Sequence, residues 1–141
     1  MTQVDALSTA ADAENTAIFV YGLATAFATG DDRAAVGTYI AAHRVRRDAL
    51  NNALVTAGSN ERVPAAGYTL PFDVTDGATA GKAILQAENT CAQAYRALVE
   101  QASDTAARRL GVDGLTDSAL RIAHWRASQG VSPTTVPFPG A

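Results

Sequence analysis

Apolar residues recur at spacings of three and four along nearly the whole chain, and the breaks in that rhythm fall at glycine and proline. Val4, Leu7, Ala11, Glu14, Ile18, Tyr21, Thr25 and Ala28 lie on one stripe of a first helix. Thr2 and Asp5 have the spacing of a capping box at its start, and Gly30 ends it. A second stripe reads Val36, Tyr39, Ile40, His43, Arg46 or Arg47, Leu50, Ala53, Leu54 and Ala57, with Asp31 or Asp32 as its cap and Gly58 as its stop. The third, opening at Thr75 or Asp76, carries Gly81, Ile84, Glu88, Cys91, Tyr95, Leu98 and Ala102. After a short break at Ser103-Asp104 a fourth carries Leu115, Leu120, Ile122, Ala123, His124 and Trp125. The pattern predicts helices over about 3–29, 32–57, 76–102 and 105–128, with an extended tail over 131–141 that packs Phe138 on the surface. Glycine costs about 1 kcal/mol inside a helix, so the segment Gly111-Val112-Asp113-Gly114 is expected to loosen or split the fourth.

The connections decide how these helices are arranged. A tight junction at Gly30-Asp31 makes the first two an antiparallel hairpin. Residues 59–75 are more than a tight antiparallel turn needs, and Gly67-Tyr68-Thr69-Leu70-Pro71-Phe72 is too apolar for a free linker. That length suits a crossover lying along the bundle, which would leave helix three parallel to helix two. The expectation is an all-α four-helix bundle with a long crossover between helices two and three, in one domain over 1–141.

Composition narrows the function classes. Alanine supplies about a fifth of the residues, favouring closely packed helices. A net charge of −3 offers no general attraction to nucleic acid or to anionic membrane, and no apolar run is long enough to span a bilayer. One cysteine, Cys91, allows neither an internal disulfide nor a thiolate cluster. With no signal-like start at Met1-Thr2-Gln3-Val4-Asp5, a cytoplasmic protein is expected.

The candidate chemistry lies on the apolar seams. Glu14 and Glu88 each interrupt one, His43 stands on a third beside Arg44, Arg46 and Arg47, and His124 on the fourth. Glu14 precedes His43 by 29 positions and Glu88 precedes His124 by 36, a difference of one heptad that nearly preserves helical phase. Two hairpins, each with an inward glutamate and an inward histidine, follow the plan of carboxylate-bridged metal sites in bundles. In that plan the second helix of each pair carries Glu-x-x-His. Here the quartets are Ile40-Ala41-Ala42-His43 and Arg121-Ile122-Ala123-His124, so both bridging carboxylates are missing.

The segments Glu14…Tyr21-Gly22, His43-Arg44-Val45-Arg46-Arg47-Asp48-Ala49-Leu50, Tyr68-Thr69-Leu70-Pro71, Glu88…Tyr95-Arg96-Ala97-Leu98 and His124-Trp125-Arg126 together resemble the actinobacterial ferritin-like domain of unknown function. The resemblance runs to Pro137-Phe138-Pro139-Gly140 and implies a ferritin-like bundle. It brings no activity with it, and fold analogy alone supplies none.

Three functional readings stand side by side. The first is a non-enzymatic bundle with a degenerate metal site. Glu14, His43, Arg46, Arg47 and Glu88 form its polar core, with Arg121 or Arg126 as further neutralising groups, and it acts through protein contacts as a homodimer. No cofactor is required by it and no catalytic residue is assigned. The second is an iron- or manganese-binding oxidoreductase with Glu14, His43, Glu88 and His124 as ligands. The third is a small-molecule binder using a polar cavity between the helices. Cys91, on an apolar stripe one turn beyond Glu88, reads as an inert buried thiol, the alternative being a thiol activated by Arg46 or His43.

Overall fold

A computed structural model describes all of residues 1–141. The four helices are α1 (Gln3–Ala24), α2 (Gly30–Thr56), α3 (Gly77–Gln101) and α4 (Thr105–Ser128), and the fold is all-helical. Thr2 and Asp5 close the expected capping box on α1, and Asp76 with Thr79 closes another on α3. Helix α1 stops at Ala24, short of residue 29. There the N–H groups of Phe27 and Ala28 turn back onto the Ala24 carbonyl. Gly30, at φ +58°, reverses the chain, so Thr29 is the N-cap of α2 and Asp31 and Asp32 lie inside its first turn. In that turn they favour the helix through its dipole instead of capping it.

Cross-helix contacts give the directions. Tyr21 meets Glu88 and Tyr95 meets Glu14, so α1 and α3 run antiparallel. Arg46 meets Asp117 while Asp32 meets Ser128, which makes α2 and α4 antiparallel as well. Between α2 and α3 the chain follows α1. Arg62 is held by Asp12 at 2.8–2.9 Å, Tyr68 packs on Phe19 with ring centroids 5.3 Å apart, and Gly77 sits beside Phe27.

The core is small-residue packing around a few large side chains. Ala6, Ala10, Ala11, Ala17 and Ala24 cover the inner face of α1, and Leu7, Tyr21, Leu50, Leu54, Tyr95 and Leu98 fill the space between helices. Each fully buried large apolar side chain contributes roughly 1.5–3 kcal/mol. Helix α4 is continuous through Gly111–Gly114, contrary to the expected break. A Cβ on Gly114 would sit 2.2 Å from the Tyr95 ring, and one on Gly111 would sit 2.8 Å from Val99. Close packing of α3 on α4 therefore offsets what the glycines cost in helix propensity. The tail also differs from expectation: Phe138 is 73% exposed, and contact with α3 is made by Gly140 against the Ala92 carbonyl. None of the helices is long and apolar enough to cross a membrane.

Candidate functional site: a buried histidine between two glutamates

Glu14 and Tyr21 stand seven residues apart on α1, and so do Glu88 and Tyr95 on α3. Seven residues is close to two helical turns, so each pair shares one face. Because the helices are antiparallel, each tyrosine reaches the other helix's glutamate. Tyr21 donates to Glu88 Oε1 at 2.6 Å and Tyr95 to Glu14 Oε1 at 2.5 Å. His43 of α2 enters between the carboxylates, with Nδ1 on Glu14 Oε2 and Nε2 on Glu88 Oε1 at 2.7 Å. The Trp125 indole N–H of α4 donates to the Tyr21 hydroxyl at 2.8 Å. One unbroken run of hydrogen bonds thus links Trp125, Tyr21, Glu88, His43, Glu14 and Tyr95 across all four helices. Glu14, His43 and Glu88 have no exposure to solvent.

Ionised carboxylates accept and do not donate, so a histidine bonded to one at each ring nitrogen would carry both protons. Burial opposes that charge. The hydrogen bonds to Glu14 and Glu88, and then their negative charges, outweigh burial and raise the His43 imidazole from 6.5 to about 9. Glu88 Oε2 has no hydrogen bond and lies 3.8 Å from Arg121 Nη1, itself unbonded and on a side chain only 6% exposed. Two carboxylates are therefore met by one imidazolium and one guanidinium. The tyrosines stay neutral donors: burial first, then the neighbouring glutamate, pushes both hydroxyls well above 10.

Of the residues expected to meet, Glu14, His43 and Glu88 do. Arg46 and Arg47 do not join them. Arg46 turns to the α4 edge and binds Asp117 through Nε at 2.9 Å and Nη2 at 2.5 Å, while Arg47 pairs with its neighbour Asp48. Arg121 is the arginine that faces the carboxylates, its guanidinium also resting over the Tyr39 ring at 5.7 Å. His124 lies outside the cluster, edge-on to Tyr39 and Trp125, with Nε2 buried and unbonded. Arg126 bonds the Pro133 carbonyl at the surface. Cys91 is fully buried, and burial, then Glu14 and Glu88, raises its thiol well above the usual range, so no thiolate is activated by Arg46 or His43.

Glu14, His43 and Cys91 place ligating atoms within 4.8 Å of one another. Each His43 nitrogen lies against a glutamate oxygen, and the Arg121 charge stands beside Glu88. The sequence does not assign Trp125 to the site, and it reads Tyr21 and Tyr95 only as the flank of a pocket or as bridges from core to surface, not as partners of the glutamates. The signal for that partnership was the repeated Glu-x6-Tyr spacing on two seams, which becomes a cross-bonded pair once the helices are antiparallel.

A search among curated proteins finds no match for the chain. Among solved structures, the crystal structure of a conserved hypothetical protein from Mycobacterium tuberculosis superimposes with a TM-score of 0.86 at 32% identity, covering 89% of this chain and 96% of that one. The model of a domain of unknown function, DUF4439, matches residues 6–141. Matched along nearly its whole length, the chain belongs to the DUF4439 family.

Proposed function

We propose that this protein is a non-enzymatic, ferritin-like bundle whose metal centre has been replaced by a self-neutralised Glu/His/Arg core, and that it works through protein contacts as a homodimer. The observation that carries this reading is His43, bonded through both ring nitrogens to Glu14 and Glu88. A doubly protonated imidazole balances charge where a metal would otherwise do so. Arg121, standing where the second quartet lacks its glutamate, does the same for Glu88. The ferritin-like topology, with a crossover between α2 and α3, is supported by the antiparallel pairings and by the course of residues 62–77 along α1. Its actinobacterial range is supported by the mycobacterial relative. A single reduced cysteine fits a cytoplasmic setting. The dimer contact is tested at Val45 and Leu120, exposed by 69% and 66% on α2 and α4.

Metal analysis of protein purified without chelator, before and after addition of Fe²⁺ or Mn²⁺, tests the core. The expected result is no stoichiometric metal, with a His43 ring showing two protonated nitrogens by ¹⁵N NMR at neutral pH. One metal per chain, with loss of the Nδ1 proton, would overturn the reading and move the oxidoreductase account to first place. Light scattering of Val45→Glu and Leu120→Glu variants tests the contact surface. A wild-type dimer that both charges leave intact would remove α2 and α4 as the interface.

A further inference from the structure

The side of α2 that faces away from the bundle is patterned as regularly as the side that faces the core. Val45 lies nine residues beyond Val36, two and a half turns on, and so points half a turn away from that buried side chain. On the outer side Ala34, Thr38, Ala41, Val45, Asp48 and Asn52 are all exposed, and they follow one another at alternating steps of four and three. That is the heptad spacing of a seam along which one helix meets another. Residues 34–42 hold no charged side chain, whereas the outer side of α3 presents Lys82, Gln86, Asn89, Gln93 and Glu100 to solvent. The small side chains of Ala34, Thr38 and Ala41 let a second helix axis approach to about 8 Å, the close end of the usual range.

The charges on this face complement themselves. Arg44 is exposed and has no carboxylate within salt-bridge distance in its own chain. Asp48, four residues on, is also exposed and is met by its neighbour Arg47 at 3.0 Å. A basic residue four positions before an acidic one is the less favourable order within a single helix, and here that pair is not formed. A two-fold axis level with residues 46–47 supplies the missing partner. Antiparallel pairing about it brings Asp48 of one copy to within one residue of the height of Arg44 of the other, on the same flank of the seam, and symmetry makes the pair twice. Val45 of the two copies then meets beside the axis, and Thr38 comes level with Val55. We propose that a second copy of this chain docks antiparallel along the outer face of α2, with Val45 at the centre and reciprocal Arg44–Asp48 pairs beside it. The inference rests on the homodimer reading and gives that dimer its helix, direction and register.

Sedimentation velocity of the full chain over a range of concentrations tests the register. Arg44→Asp and Asp48→Arg each set like charges against one another at two places, and each should raise the dimer dissociation constant about ten-fold or more. The double variant Arg44→Asp/Asp48→Arg restores opposite pairs and should return to within about three-fold of the wild type. Both positions are exposed, so the variants fold, and circular dichroism confirms it. A wild-type dimer that neither single substitution weakens would overturn the inference and leave the homodimer reading in place. So would a double variant as weak as the singles, because the two charges would then not face each other. A wild-type chain that stays monomeric at every concentration would overturn both.

Discussion

Replacing Glu88 by alanine removes three partners at once. Tyr21 loses its acceptor at 2.6 Å, His43 loses the acceptor of its Nε2–H at 2.7 Å, and Arg121 loses the carboxylate 3.8 Å away. Water cannot replace them, since Tyr21, His43 and Arg121 are all buried. Truncating one side of a buried ion pair costs about 3–5 kcal/mol. The two lost hydrogen bonds belong to the same network and are contained in that figure, not added to it. For a chain of this length about 3 °C of melting temperature goes with each kcal/mol, so Tm should fall by roughly 10–15 °C.

Urea unfolding followed by circular dichroism, with the m-value checked for constancy, measures the loss. A double-mutant cycle with Arg121→Met then separates a charge pair from simple packing. If Arg121 is the counter-charge of Glu88, each substitution costs less in the background of the other, with an interaction energy of about 1 kcal/mol or more. A cost below about 1 kcal/mol for Glu88→Ala, or strict additivity with Arg121→Met, would refute the self-neutralised core.

Three further outcomes follow from the same geometry. Because the His43 pKa is raised from 6.5 to about 9, its contribution of roughly 3 kcal/mol is fully present below pH 6.5 and is lost as pH rises through 9; the urea midpoint should fall over that window in the wild type and not in His43→Phe, and a flat wild-type profile would exclude a charged His43. Cys91, buried with a raised thiol pKa, should react with a disulfide reagent only as fast as the protein opens, so rapid stoichiometric labelling of the folded chain would contradict its placement. Gly114→Ala should destabilise by about 1–3 kcal/mol because its Cβ meets the Tyr95 ring, whereas Gly37→Ala, with nothing within 4 Å, should stabilise by up to about 1 kcal/mol; paired thermal melts giving the same sign for both would show that α4 does not rest on Tyr95.

What could be read from the chain, and what could not, divides along helical phase. The four helices were legible because small and apolar residues recur at spacings that only a helix brings to one face. Glu14 and Glu88 were legible as buried for the same reason: each replaces an apolar residue on an otherwise unbroken seam. The partners across the core were harder. Residues three apart on a helix point about 60° from one another, so in the quartet Arg121-Ile122-Ala123-His124 a small rotation of the helix decides which end faces the centre. Matching His124 to His43 by heptad spacing assumed that both hairpins turn alike. They do not, since five residues separate α1 from α2 and three separate α3 from α4. Arg121 is consequently the residue turned towards Glu88, and His124 is turned to Tyr39 and Trp125. The same 60° takes Arg46 off the His43 direction and onto Asp117. A charge that cannot be placed to within one residue of phase cannot be assigned a partner from spacing, and in this core the partner is what separates a metal centre from a salt-bridged one.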